Sequence, residues 1–467
     1  MSNRRKKRSP RHLKRNLLII VFSLLALLLT IFLTGLARDR QESDLEQKMI
    51  EQANRQMAEG EEDDEDEDDG DVIEAITEST TKFMNDDELN IPVDDTDGAT
   101  EPGNEDNTVD DTTRQDTAAT SPEVEKILSE MTLEQKVYQM FMVLPETLTG
   151  ASRVVRAGDA TKAAIKKYPV CGICYLASNL QDPEQTKEML SNSQKYAMEI
   201  EGMPLFLTLD EEGGRVARIA GNPKFGVTKI GPMMEISDKN EAYKAGFTIG
   251  SYLKDLGFNM DLAPDADVLT NPSNGVIGDR SFGSDPNKVT ECSVAYSNGL
   301  HASGVMSTFK HFPGHGATTA DSHKGYAYTD KTMDQLMAAE LVPFRAAESS
   351  GVEFVMIAHI SIPNAIGEDT PCTLSKKAID VLRNDFGYNG IIITDSMDMG
   401  AIANDYPSGD AAVKAVQAGN DIILEPENFP AATEAVINAV KNGTIPEERI
   451  NQSVRRIIKA KLELMNN

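Results

Sequence analysis

The sequence contains no tryptophan and only four cysteines in 467 residues. Without indole rings, any aromatic surface must be built from 15 Phe and 11 Tyr. Four thiols in so long a chain exclude a small fold held by disulfide staples, and a chain of this size buries a large core without them. A basic excess is missing too: Lys and Arg number 46 against 75 Asp and Glu, for a net charge of −29. That balance excludes nucleic acid as a partner, because neutralising phosphates takes a basic surface. The charge is unevenly spread. Residues 1–40 carry +9 and residues 41–120 carry −25, which leaves −13 on the other 347.

What is present at the amino terminus is a basic stretch, residues 1–16, followed by 21 uncharged residues from Leu17 to Ala37. At about 1.5 Å of rise per residue this run crosses a hydrocarbon layer of about 30 Å. The basic flank stays in the cytoplasm and puts everything after Arg38 outside. A cleaved signal peptide, with the body then secreted, is the alternative, but its apolar core is shorter, about 7–15 residues. No cysteine lies near the end of the run, so a lipoprotein-type attachment is not expected. Residues 38–121 include the tract Glu61–Asp71, EEDDEDEDDGD. Like charges at this density repel, and few apolar residues are there to collapse around, so the segment reads as a disordered acidic linker. It lacks the glycine turn and closing glutamate of a calcium loop.

Residues 122–467 read as one folded body of alternating strands and helices. A helix is predicted to open it at Pro122, on helical spacing of apolar residues. Eight short apolar runs follow: 139–143, 171–176, 205–210, 260–265, 305–312, 354–360, 391–396 and 421–426. Amphipathic stretches separate them. Eight strand-then-helix repeats predict a closed parallel (β/α)8 barrel, with the chemistry at the carboxyl ends of the strands. Several runs end in ionisable residues: Asp210, Asp265, Lys310–His311, His359, Asp395 and Glu425. A doubly wound open sheet is the alternative, and it converges so many strand ends less readily. Cys171 and Cys174 form a C-x-x-C. They lie within a predicted strand, where i and i+3 face opposite sides, and no second Cys/His pair follows. Buried strand cysteines are therefore expected.

Three segments carry candidate chemistry. Leu209–Arg218, LDEEGGRVAR, delivers Asp210 and two glutamates at a strand end, then a Gly-Gly turn, Arg215 and Arg218. An ordinary acidic turn is the plainer reading. Lys310–His323, KHFPGHGATTADSH, holds three of the six histidines. In an extended loop, Asp321 can accept from the ring of His323 and raise its basicity, which suits acid/base work. The same loop offers His311, His315 and His323 as metal ligands, although Lys310 beside His311 disfavours a cation. A surface loop is the third reading. Ile391–Met399, IIITDSMDM, ends an apolar strand at Asp395, where a carboxylate can act as nucleophile or electrostatic stabiliser. Asp398 reads as a helix cap or a backbone acceptor. A weaker segment, GDRSFGSD, presents Arg280 to clamp a hydroxyl or an amide carbonyl.

Taken in order, MTLEQKVYQM, LDEEGGRV, GDRSFGSD, KHFPGHG, DSH and ITDSMDM resemble the bacterial β-N-acetylglucosaminidases of glycoside hydrolase family 3. The likeness runs from about Val124 to the carboxyl terminus. It implies a retaining exo-glycosidase acting on terminal, non-reducing β-linked N-acetylglucosamine in cell-wall fragments or related glycans. It implies Asp395 as nucleophile, His323 as acid/base and Asp321 as its partner. It implies Asp210, Arg218, Arg280, Lys310 and His311 as ligands of the sugar hydroxyls and acetamido group, with no cofactor and no metal. Larger relatives acting on glucosides carry a second domain that supplies a carboxylic acid/base, and such a domain is not expected here. Glu211 departs from the family's frequent Gln. Lack of Trp fits a small pocket for one or two sugars. Other readings are a glycoside phosphorylase, a non-enzymatic glycan-binding surface protein and a zinc-dependent hydrolase. No motif speaks to the oligomeric state.

Overall fold

The computed structural model describes residues 121–318, 321–322 and 325–466. The basic tail, the apolar run Leu17–Ala37, the acidic linker up to residue 120, and His323 lie outside the described residues. Among the described residues no helix is long and apolar enough to cross a membrane.

The body opens on two short helices instead of one, Pro122–Glu130 and Leu133–Tyr138. The break has a local cause. Met131 is extended, and Thr132 starts the second helix with a capping box: its hydroxyl accepts from the Gln135 amide, and the Gln135 side chain accepts from the Thr132 amide. Two orphan amides are satisfied at once, which favours a fresh start over continuation.

Parallel strands then alternate with helices. β1 (Phe141–Val143), β2 (Gly172–Cys174) and β3 (Phe206–Thr208) are followed by a small antiparallel hairpin, β4 (Glu211–Gly213) and β5 (Val216–Ala217). Next come β6 (Thr308–Phe312), β7 (Ala327–Tyr328), β8 (Phe354–Ile357), β9 (Ile360–Ser361), β10 (Ile391–Thr394) and β11 (Ile423–Leu424). Two larger parallel sheets form, in the orders β11-β1-β2-β3 and β10-β8-β6, beside the two-stranded parallel pair β7-β9. Hydrogen bonds join them on both sides. On one side residues 259–266 run between β3 and β6: Leu262 N donates to Leu209 O at 2.9 Å, and Ala266 N donates to Lys310 O at 2.7 Å. On the other side Thr394 N donates to Ile422 O at 3.0 Å. The eight apolar runs of the sequence thus form a closed circuit, which an open sheet does not. The fourth run pairs only at isolated bridges, Met260 with Met306 and Asp265 with Lys310. Pro264 within it has no N–H to give the ladder.

Alternation explains why these strands read as continuous apolar runs. Met142, Phe206, Met260, Phe354, Ile393 and Leu424 fill the inside of the circuit. Their neighbours Phe141, Val143, Leu205 and Leu207 face the surrounding helices. Both faces are buried, as in other helix-covered parallel sheets. The rings of Phe206 and Phe354 meet edge to face inside, with centroids 5.3 Å apart. Outside, the helices Lys239–Leu256 and Pro286–Ala302 approach to glycine-sized separation. A Cβ on Gly246 would lie 2.1 Å from Tyr296 O, and one on Gly299 would lie 2.3 Å from Tyr243 O.

All four cysteines are free and buried. The expectation that Cys171 and Cys174 face opposite sides fails, since both join the inner cluster. Cys171 keeps its backbone bonds to Phe141 and Phe206, and its thiol turns to donate to Phe141 O at 3.1 Å. Two large side chains stand out at the surface beside the Asp321 segment. β7 buries Ala327, while Tyr328 and Tyr326, the residue just before the strand, are exposed and stacked with centroids 5.5 Å apart. The Tyr326 hydroxyl donates to Asp369.

Candidate active site

A cavity of about 810 Å³ opens at the carboxyl ends of the strands. Asp210, Lys310, His311, Asp321, Asp395 and Glu425 all reach it. Leu262, Met356 and Leu424 of the inner cluster form its apolar floor. Arg218 and Arg280 line it as well, so every described residue that the sequence assigned to the site borders one space.

One wall is a ladder of ion pairs. Lys310, buried in β6, donates to Asp210 Oδ1 at 2.8 Å and lies 2.5 Å from Glu212 Oε1. Arg218 Nη2 donates to Asp210 Oδ2 at 3.2 Å. Arg280 grips Glu212 with two parallel bonds, Nε to Oε2 at 2.7 Å and Nη2 to Oε1 at 2.8 Å. Such a planar fork fixes both partners. Burial opposes ionisation of Asp210, but the Lys310 and Arg218 cations outweigh it and hold the carboxyl below its usual range. Burial likewise resists ionisation of Glu212, and Arg280 and Lys310 overcome it. For Lys310, burial favours the neutral amine, and Asp210 and Glu212 reverse that. Glu212 is thus the hub to which both cations are tied. Sequence reading passed over it as part of an acidic turn, because its partners lie 68 and 98 positions away. Its neighbour Glu211 belongs to the core instead. It accepts from the Ile219 and Ala220 amides at 2.8 Å each and from the Tyr252 hydroxyl at 2.8 Å. Arg215 holds the rim by donating to the carbonyls of Gly275, Val276 and Ile277.

Behind this wall sits a histidine–carboxylate set. His311 Nδ1 donates to Asp267 Oδ2 at 2.7 Å, and Arg280 Nη2 lies 3.3 Å from His311 Nε2. Burial lowers the His311 imidazole, and the Asp267 charge lifts it back above its ordinary value. Asp265 is pushed up to about 7 by burial, with the Asp267 charge adding. The donor atoms of Asp265, Asp267 and His311 lie within 4.8 Å of one another, close enough to hold a metal ion. The Arg280 guanidinium already sits 3.4 Å from Asp265 Oδ2 and supplies positive charge there. The reading of His311, His315 and His323 as a ligand set finds a different arrangement. His315 spends its ring nitrogens on Ser322 Oγ and Thr318 Oγ1, both at 3.0 Å, and its amide donates to Asp267.

The opposite wall carries Asp395. It follows β10, where its amide donates to Ile357 O at 2.9 Å. Its Oδ1 accepts from the Ser396 amide at 2.8 Å. Ser396 is held in turn by His359, buried at the end of β8, whose Nε2 donates to Ser396 O at 2.8 Å. Asp398 does not cap the next helix, Gly400–Ala403, which begins after Met399. Asp398 Oδ1 accepts from Ser396 Oγ at 2.7 Å instead. Asp321 reaches the same cavity, and its neighbour Ser322 accepts from the Ala401 amide at 3.1 Å. That bond ties the loop bearing Asp321 to the segment just beyond Asp395. Glu425, the residue after β11, completes the wall with Cys174.

The arrangement offers a carboxylate on one side of a small space and a dense set of buried donors on the other. This suits the binding of a polyhydroxylated molecule with attack or charge stabilisation by Asp395. Comparison with known proteins points the same way. Residues 132–460 match the model for the glycosyl hydrolase family 3 N terminal domain. Beta-hexosaminidase A of Pseudoalteromonas piscicida is 33% identical over 332 residues, which cover 64% of this chain and 54% of that protein. A beta-hexosaminidase of Mycobacterium tuberculosis is 34% identical over 267 residues, or 55% of this chain and 67% of that one. The chain thus spans about half to two thirds of these curated relatives. Among solved structures, a glycoside hydrolase family 3 beta-N-acetylglucosaminidase from a Paenibacillus species superposes with a TM-score of 0.67 at 38% identity, covering 72% of this chain and 63% of that one. A family 3 glycosyl hydrolase of Mycobacterium smegmatis gives 0.63 at 32% identity, covering 72% and 98%.

Proposed function

This chain belongs to glycosyl hydrolase family 3, and from that premise we propose that it is a retaining, exo-acting β-N-acetylglucosaminidase. It removes terminal, non-reducing β-linked N-acetylglucosamine from cell-wall fragments or related glycans. The observation that carries the reading is the convergence of Asp395, Asp321 and the Asp210–Lys310–Arg218 cluster on one cavity.

In this mechanism the Asp395 carboxylate attacks the anomeric carbon as the glycosidic bond breaks. His323, oriented by Asp321, gives its proton to the departing oxygen. The resulting glycosyl ester of Asp395 is then attacked by water, whose proton passes to His323, and the carboxylate is released. Histidine suits both halves because its ordinary pKa, about 6.5, lies close to neutrality. Asp210, Lys310, Arg218, Arg280 and His311 hold the sugar hydroxyls and acetamido group. The Leu17–Ala37 run anchors the protein in the cell membrane with the catalytic body outside.

The test is release of 4-nitrophenol from 4-nitrophenyl N-acetyl-β-glucosaminide by the full chain. Turnover by the wild type and its loss in Asp395→Asn support the reading. An inert wild type, or a phosphorylated sugar product in phosphate buffer, overturns it.

A further inference from the structure

The reaction just described gives no role to Glu425, a carboxyl that lines the cavity. Glu425 is the sole non-glycine residue with positive φ, 45°, among the described residues. L side chains disfavour this region, and such outliers concentrate where a side chain is held for a purpose. The conformation turns Glu425 toward the cavity wall, where its Oε2 lies 3.2 Å from Ser396 Oγ. Ser396 is the residue whose amide donates to Asp395.

A proton count limits what this contact can be. Ser396 has one hydroxyl hydrogen and two carboxyl neighbours, Asp398 Oδ1 at 2.7 Å and Glu425 Oε2 at 3.2 Å. The hydroxyl satisfies only one carboxylate at a time. If it serves the nearer, Asp398, the Glu425 contact becomes attractive only when Glu425 itself carries a hydrogen. The surroundings favour that form. Asp398 and Ser396 face Glu425 from the loop after β10, the Cys174 thiol from β2, and Asp210 from the end of β3, itself paired with Arg218 and Lys310. Burial, with the Asp398 charge added, pushes the Glu425 carboxyl up to about 7.

We propose that Glu425, in its protonated form, is a positioning residue for the nucleophile: its carboxyl donates to Ser396 Oγ, Ser396 Oγ donates to Asp398, and the Ser396 amide stays aimed at Asp395. This rests on the reading of Asp395 as nucleophile. Ionised Glu425 turns a donor into a second acceptor facing the serine oxygen, which pushes Ser396 and its amide off their aim at Asp395. Glycosylation therefore slows as pH rises through the Glu425 pKa.

A histidine in the acid/base role ordinarily loses its proton near neutrality, so the substrate must remove that step from the measurement. N-acetylglucosaminyl fluoride does so, because fluoride departs with little protonation and kcat/KM covers only formation of the glycosyl-enzyme. The full-length wild type should lose activity on it above about pH 7, approaching tenfold per pH unit. In Glu425→Gln, whose amide donates at every pH, that limb should move up by at least one pH unit. Ser396→Ala, which removes the relay but keeps the amide, should also lose the limb, and melting curves check that both variants fold. A limb that stays at its wild-type pH in either folded variant overturns the proposal, and so does a wild type flat from pH 6 to 8.5. A wild type inert toward the fluoride at every pH overturns the glucosaminidase reading, and this assignment falls with it.

Discussion

The two ends of the strand circuit both bury charge, yet they use it differently. At the amino-terminal end Asp421 is fully buried and saturated. Its Oδ1 accepts from Ser453 Oγ at 2.6 Å and from Arg456 at 3.1 Å, and its Oδ2 from Arg383 and the Ile392 amide at 2.8 and 3.0 Å. Arg449 stands 3.8 Å away. None of these residues lines the cavity at the other end. At the carboxyl-terminal end the same residue types surround open space, and polar groups remain on offer. Lys310 and Arg280 are anchored by Glu212, while Asp210, Asp321, Asp395 and Glu425 border the cavity. A buried ion cluster is therefore not by itself a sign of chemistry. A staple closes on itself, whereas a site keeps room for a guest.

Substitutions at the two ends should separate along this line. Asp395→Asn removes the proposed nucleophile and should lower kcat on the order of 10⁶-fold, with an unchanged melting temperature. A matching loss of stability would blur the contrast. His323→Ala should cost roughly 10²–10⁴-fold on natural glycans. It should cost far less on a nitrophenyl glycoside, whose leaving group needs little proton, and equal losses would remove the acid role. Asp421→Ala does the reverse. It strands three guanidinium groups around a buried site and should cost about 3–5 kcal/mol of stability, read from denaturant unfolding. The fraction that remains folded should keep its kcat/KM, and a loss there would mean that the lower cluster shapes the site.

The smallest effect concerns acid. At Asp421 burial resists ionisation, but Arg456, Arg383 and Arg449 hold the carboxyl below its usual range, as Lys310 does for Asp210. A lowered folded pKa means that the unfolded chain binds the extra protons first. The stabilisation is thus complete above the ordinary carboxyl range and is lost as pH falls from about 4 downward. Melting temperature should drop over that interval in the wild type and less steeply in Asp421→Ala.

Much of the fold was legible because its signals are local. Eight apolar runs with polar ends predicted the strand circuit, and both-face burial is why they lack polar alternation. The misjudged details have equally local causes: the capping box at Thr132 splits the first helix, and Pro264 thins the fourth strand. At the site, Asp210, Lys310, His311 and Asp395 could be read because each ends an apolar run. Glu212 could not, since its meaning lies in partners brought from distant strands. Glu425 was visible as a strand end, but its turned backbone and its serine neighbour belong to the folded chain.

The paired tyrosines at β7, Tyr326 just before it and Tyr328 within it, have a practical corollary. With no indole anywhere in the sequence, Tyr326→Trp would give the protein a single fluorophore of that kind, poised a few residues from the loop that bears Asp321. Its emission, recorded without a label while glycan is added, would read whether this surface strand responds to events in the cavity.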